Sequence, residues 1–354
     1  DVLAPLTHYQ AHDALLALVE PLPQRLDQRQ RRVVVEHQRQ VDARERRHEP
    51  GAVALRQDRA SGALQPAHAG VAVDAHDQRI ARAGFGVAQA SESDTAVKLR
   101  DWSLARTALP DGTQRAAPGS AGQSPITSGS RYLARVEGDG FGLDLRCDTA
   151  QPPLLQGRQG LSRKGPEAAQ ASYYYSQPQL AVSGAIVLNG RRMAIESSTT
   201  DNGTNRAWLD HEWSQALLDP QAVGWDWIGI NLDDGGALMA FRMRGKDGRA
   251  LWAAATLQAA GGTAQVFSAE AVVFEPGRTW RSPRTGIVYP VAWRLRVGTR
   301  AFELAPLLDD QELDSRGSTG AVYWEGAVRL VEAGRERGRG YLEMTGYGDR
   351  IRVG

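Results

Sequence analysis

The residues best suited to chemistry cluster between Ala207 and Trp227, as Trp208-Leu209-Asp210-His211-Glu212-Trp213 and then Gly224-Trp225-Asp226-Trp227. Four of the nine tryptophans fall here, with several acids and a histidine. His211 is the only histidine after His76, so it is the one side chain in the body of the protein whose unperturbed pKa lies near neutrality. A histidine among carboxylates suits proton transfer. A histidine among indoles suits an aromatic cage for an apolar ligand.

Strand alternation divides the motif into two faces. Trp208, Asp210 and Glu212 point one way, and Leu209, His211 and Trp213 the other. On the following segment Trp225, Trp227 and Gly229 share a face opposite Asp226 and Ile228. These faces predict one small barrel lined by Leu209, His211, Trp213, Trp225 and Trp227, since small barrels either fill with side chains or hold one ligand. Core packing is the competing role for the tryptophans. Asp233-Asp234 reads as a turn former. A run such as Tyr173-Tyr174-Tyr175 must point to both faces, so one or two of its rings can line a cavity. Tyr323-Trp324-Glu325-Gly326 again sets aromatics beside an acid, with packing as its alternative role.

The elements that must position these residues are short strands. Tyr132 to Val136 and Phe141 to Arg146 alternate around a Glu-Gly-Asp-Gly turn. Leu180 to Leu188 and Arg191 to Glu196 flank Asn189-Gly190, and Trp225 to Leu232 and Ala237 to Arg244 flank Asp233-Asp234-Gly235-Gly236, all hairpin signatures. Ile80 to Val87, Val97 to Leu104 and six further segments after Leu251 also read as strands. Pro118 to Ser130 reads as a loop and Gly157 to Ser172 as a connector between domains. Helical periodicity is nearly absent. The 38 glycines and closely spaced hairpins predict antiparallel barrels or sandwiches.

Composition removes several classes. A formal net charge of +1 gives no argument for nucleic acid or an anionic membrane. A single cysteine, Cys147, excludes an internal disulfide framework and a multi-cysteine metal site. No apolar run reaches the length of a membrane-spanning helix, and no signal peptide is expected in this chain. No nucleophile elbow, P-loop, dinucleotide fingerprint or zinc-binding helix is present, so no metal and no cofactor are expected.

Residues 1–71 differ in composition: the first 70 hold no Trp or Phe, but five of the seven histidines. Ala11 to Glu20 reads as a helix and Val33-Val34-Val35 as a β-prone run. With too few large apolar residues for a core, the segment is expected to be disordered or the product of out-of-frame translation.

Tyr173-Tyr174-Tyr175-Ser176-x-Pro178-x-Leu180-x-Val182-x-Gly184 opens an ordered series that continues through the two tryptophan motifs, Asp234-Gly235 and Tyr289-Pro290. It closes with Tyr323-Trp324-Glu325-Gly326 and Gly340-Tyr341-Leu342-Glu343-Met344-Thr345-Gly346-Tyr347. The series resembles the carotenoid 1,2-hydratase (hydroxyneurosporene synthase) and AttH family over roughly residues 72–354. The resemblance implies two tandem lipocalin-like antiparallel β-barrel domains, expected at 72–172 (lacking its opening Glu-Trp-Trp-Tyr strand) and 173–354. It also implies a bacterial periplasmic or secreted protein, and an ABC exporter as partner. Its hydratase members add water to a terminal isoprenoid double bond without a cofactor; other members have no established activity.

Such a hydration needs an acid of raised pKa in an apolar cavity, aromatic faces to stabilise the carbocation, and a base for water. Here His211 is the candidate base and Asp210, Asp226 or Asp234 the candidate acids. Trp213, Trp225, Trp227, Tyr175 and Tyr323 are the candidate ligand-binding residues. Alternation sets Asp210 and Asp226 away from His211, and the sequence leaves the choice of acid open. The competing function is a non-catalytic carrier of a lipid or isoprenoid, or an exporter adaptor.

Overall fold

The structure is a computed structural model. It describes the backbone of segments 9–18, 52–61, 68–72 and 78–82, and residues 88–91, 94–109, 129–138, 140–149, 151–195, 205–214, 219–316 and 321–348. Val33-Val34-Val35 and most of the loop expected at 118–130 lie outside the described residues. Two antiparallel sheets hold almost every described element, and the one helical turn among them is the 3-10 segment Ala269–Ala271.

The first sheet runs, in spatial order, Gln78–Arg82, His68–Ala72, Ala52–Ser61, Tyr9–Leu18, Arg206–Ser214, Ala171–Leu188, Phe141–Thr149, Ser130–Gly138, Trp102–Ala108, Ala96–Leu99 and Ala88–Ala90. The second runs Ala264–Phe267, Ala250–Gln258, Ala237–Gly245, Ala222–Leu232, Arg335–Thr345, Val322–Glu332, Arg300–Pro306, Trp293–Val297 and Val272–Pro276. The three predicted hairpins form as expected. Asn189 and Gly190 take φ of 49° and 76°, the left-handed pair that a tight two-residue turn requires.

Two expectations are corrected. Val97 to Leu104 is not one strand: it reverses at Arg100 (φ 53°) between Ala96–Leu99 and Trp102–Ala108. Ala11 to Glu20 is not helical over its described part; Tyr9–Leu18 is a strand paired with Arg206–Ser214, Asp13 opposite His211. Ala171–Leu188 and Arg206–Ser214 are hydrogen-bonded into the first sheet, and the second sheet begins, in chain order, at Ala222.

Each sheet curls around its own core. Trp102, Tyr132, Leu143, Leu145, Val182 and Leu209, from successive strands of the first, meet in one cluster. Ile228, Leu238, Trp293, Phe302, Trp324 and Leu342 do so in the second. A third cluster joins the two units: Leu154, Tyr174 and Trp208 from the first pack on Trp227, Met239, Phe241, Met243 and Tyr341 from the second. Ala237–Gly245 is therefore buried at all nine positions. Leu238 and Ala240 face the second core while Met239, Phe241 and Met243 face the seam, which is why its apolar run is nearly continuous.

Polar contacts tie the seam together. At Gln177-Pro178-Gln179 the ladder with Arg206–Ser214 is interrupted by a bulge. Pro178 has no N–H to give it. Gln179, at φ 57°, turns to the other sheet. Its backbone N–H donates to Asn231 Oδ1 at 2.7 Å, and its side-chain amide donates to the carbonyls of Leu232 and Gly236.

Candidate functional site

The strand Arg206–Ser214 lies between two environments. Leu209 enters the first core. On the same face His211 stacks on Tyr175 with centroids 5.1 Å apart, and Trp213 lies 5.0 Å from His211 and 5.4 Å from Tyr173. The opposite face carries Trp208, Asp210 and Glu212 into the seam.

Asp210 is the centre of the seam. Its Oδ1 accepts from Ser176 Oγ at 2.5 Å and Trp208 Nε1 at 2.7 Å, and its Oδ2 accepts from the Tyr174 hydroxyl at 2.7 Å. A second layer supports these donors: Trp227 Nε1 donates to the Tyr174 oxygen at 3.0 Å and Gln156 Nε2 to Ser176 Oγ at 2.8 Å. The Ser176 proton is committed to Asp210, so the Gln156 amide must present its NH2 there, which leaves its buried Oε1 without a partner among the described residues. Beside this network Lys164 Nζ pairs with Glu212 at 2.6 Å and lies 4.7 Å from the Tyr174 ring and 4.3 Å from the Phe241 ring. Ser172 also donates to Glu212.

Burial pushes the Asp210 carboxyl up to about 7, against the opposing pull of its three hydrogen-bond donors. Burial, and then the charge of Asp210, pushes the Tyr174 phenol up as well. The seam thus holds an acid that is about half protonated near neutral pH, connected to a phenol and roofed by indoles. When Asp210 takes a proton on Oδ2, that proton points at the Tyr174 oxygen, and the phenolic proton must turn away to another acceptor. Asp210 and Tyr174 can therefore hand a proton on to a bound group.

A linkage prediction follows. The native carboxyl keeps its proton to higher pH than the unfolded chain does. Asp210 therefore adds stability below the ordinary carboxylate range, and that contribution is lost as pH rises through about 7. Urea midpoints measured from pH 4 to 8 should fall more steeply with pH in the wild type than in Asp210→Asn. Parallel curves would exclude the shift.

Gly229 is required where the two units meet. A Cβ there would come within 2.5 Å of the Trp227 ring and 2.9 Å of Trp208, whose rings pack edge to face at 6.3 Å. Gly229→Ala should displace an indole at a cost of about 1–3 kcal/mol. The checks are a lower Tm and an altered tryptophan emission; an unchanged Tm would mean the seam has room to adjust.

The single aromatic cage expected from the sequence is not formed. His211, Trp213 and Tyr175 stand on one side of their sheet, whereas Trp227 joins Trp208, Tyr174 and Asp210 on the other. Alternation gave the faces of each strand correctly, but not which faces meet across two sheets. Trp225 donates through Nε1 to Glu343 at 3.0 Å. Asp226 points into the second core, paired with Arg242 at 2.6 Å. Asp234 accepts from the Gly236 N–H within its turn at 2.8 Å, the structural role. Tyr323 is buried opposite Thr345. Of the three candidate acids, Asp210 alone joins the seam aromatics.

Tyr174, Ser176, Gln156, Lys164 and Glu212 were missed as site residues. Pairing shows which tyrosine of the triplet faces Asp210; for Tyr174 and Ser176 alone, proximity in sequence to Tyr175 was a signal. Among the described residues no group of His, Cys, Asp and Glu is arranged to hold a metal.

Two curled antiparallel sheets joined along a buried seam define an all-β, lipocalin-like protein of two tandem units. The chain belongs to the AttH-like family, whose profile matches residues 44–347. The match thus begins upstream of residue 72, where the sequence resemblance was expected to start. A putative AttH from Nitrosomonas europaea is similar at 40% identity and a TM-score of 0.72, covering 97% of this chain and 93% of that one. Kievitone hydratase from Nectria haematococca shares the fold at 13% identity and a TM-score of 0.63, with 94% and 88% covered. CghA, solved with Sch210972, does so at 11% identity and a TM-score of 0.53, with 96% and 89% covered. No curated protein matches the sequence.

Proposed function

We propose that this protein binds an apolar, unsaturated isoprenoid or lipid against the seam aromatics and adds water to its double bond, without a cofactor. The observation that carries this reading is Asp210, a carboxyl raised to about 7 among two indoles and a phenol. Asp210, through Tyr174, gives a proton to the less substituted alkene carbon, and the π bond becomes the new C–H bond. The tertiary cation is stabilised by neighbouring ring faces. Water then forms the C–O bond and returns its proton to the Asp210 carboxylate, so atoms and charge balance. His211 stands on the far side of its strand, stacked on Tyr175, and in this scheme it is not the base. Family resemblance adds a periplasmic or secreted setting and an ABC exporter as partner.

A second reading, a carrier for the same ligands, is favoured by one observation: both Asp210 oxygens are already occupied by protein donors, as in a structural carboxylate. Tryptophan-fluorescence titration of the full chain with a lycopene-like isoprenoid and with a fatty acid separates the two when the products are weighed by mass spectrometry. Binding with the gain of one water supports the hydratase. Binding without conversion supports the carrier, and no binding removes both.

A further inference from the structure

The second core holds a charged cluster that the seam chemistry does not use. Arg242 and Arg244 alternate with seam-facing residues along Ala237–Gly245, so both guanidiniums enter the interior of the second unit, only 7% and 6% exposed. Arg242 Nε donates to Asp226 Oδ2 at 2.6 Å and Nη1 to the Phe274 carbonyl at 3.3 Å. Arg244 donates to the Thr345 carbonyl, and its Nε lies 3.5 Å from the same Asp226 oxygen. The other Asp226 oxygen accepts from Tyr347 at 2.8 Å.

One carboxylate thus serves two guanidiniums. Glu312, on the neighbouring segment, is committed to Ser282, Thr285 and Tyr289 and pairs with Arg284. Among the described residues two buried donors of this cluster have no hydrogen-bond partner: Trp293 Nε1, and Arg244 Nε, whose contact with Asp226 at 3.5 Å is an ion pair only. Native interiors rarely leave such donors unused. The walls are aromatic, with Arg242 4.8 Å from the Trp293 ring and Arg244 4.0 Å from the Tyr347 ring. Tyr289 stands 5.7 Å from Tyr347 and 6.3 Å from the half-buried Trp280.

We propose that Arg242 and Arg244, with the unused Trp293 N–H, form a binding site for the carboxylate of an amphipathic organic acid. The single excess positive charge matches a carboxylate better than a phosphate, which carries closer to two negative charges at neutral pH. The surrounding rings favour an acid with an apolar body. The site is on the opposite side of the second sheet from Asp210 and stands apart from the hydration reading.

The test compares oleate, oleyl alcohol and acetate by calorimetry on the full wild-type chain, on Arg244→Gln and on Asp210→Asn. Oleate should bind at least about tenfold more tightly than the alcohol, the effect expected of a charge-assisted, planar guanidinium contact. That preference should vanish in Arg244→Gln and persist in Asp210→Asn, which separates this site from the seam. Should Arg244→Gln fail to fold, carboxyl-labelled oleate on the wild type gives the second readout. Its 13C resonance should stay at the ionised position well below the pH at which free oleate protonates. Equal affinity for acid and alcohol, no binding of oleate, or a bound carboxyl that titrates like the free acid would each overturn the proposal.

Discussion

Asp210→Asn should reduce water addition by about 10²–10⁴-fold, the usual contribution of a positioned general acid, while apolar ligands continue to bind. The amide keeps the shape of the carboxyl and an acceptor for Ser176 and Trp208, but it has no proton to give. The pH profile is the stronger evidence. A reaction that needs the protonated form should slow as pH rises above about 7, where burial places the carboxyl. Tyr174→Phe should reduce the rate as well, because the phenol relays the proton. It should also move the falling limb to higher pH, since the Tyr174 hydrogen bond is one of the contacts holding the carboxyl down. A merely structural tyrosine would change stability without moving that limb. Wild-type turnover in Asp210→Asn would remove Asp210 from the chemistry.

Much of the fold was legible because period-two patterns and glycine-bearing turns act locally. The Asn189-Gly190 hairpin and the assignment of Trp208, Asp210 and Glu212 to one face needed only neighbouring residues. The site was less legible because it depends on which faces meet. Arg206–Ser214 lies against two cores, and nothing within the strand says that Trp227 joins Trp208 and not His211. The rise in the Asp210 carboxyl has the same origin: desolvation comes from the second sheet closing over it. Some long-range information was accessible. The hairpin register through Asp233-Asp234-Gly235-Gly236 sets Asp226 opposite Arg242, although no buried charge cluster was expected there. The Tyr9–Leu18 strand was concealed by composition, since its pairing with Arg206–Ser214 owes nothing to a local signal.

That register underlies the other large expected effect. Asp226→Ala should destabilise the protein by about 3–5 kcal/mol, the cost of leaving buried charge uncompensated. Asp226 is fully buried, and its loss leaves Arg242 and Arg244 facing each other and removes the acceptor of Tyr347. Asp226→Asn should cost less, because it preserves volume and an acceptor while losing the charge. The matched control is Asp309→Ala. Asp309 pairs with Arg278 at 2.6 Å, the same separation as Asp226 and Arg242, but with side chains 38% and 53% exposed. Solvent screens that pair, so its loss should cost about 0–1 kcal/mol. Urea denaturation of both alanine variants isolates environment from distance. A large gap between them means that the low-dielectric interior sets the energy of the Asp226 cluster. Similar losses would mean that water reaches Arg242 and Arg244 in solution, and that the second core is wetter than its packing indicates.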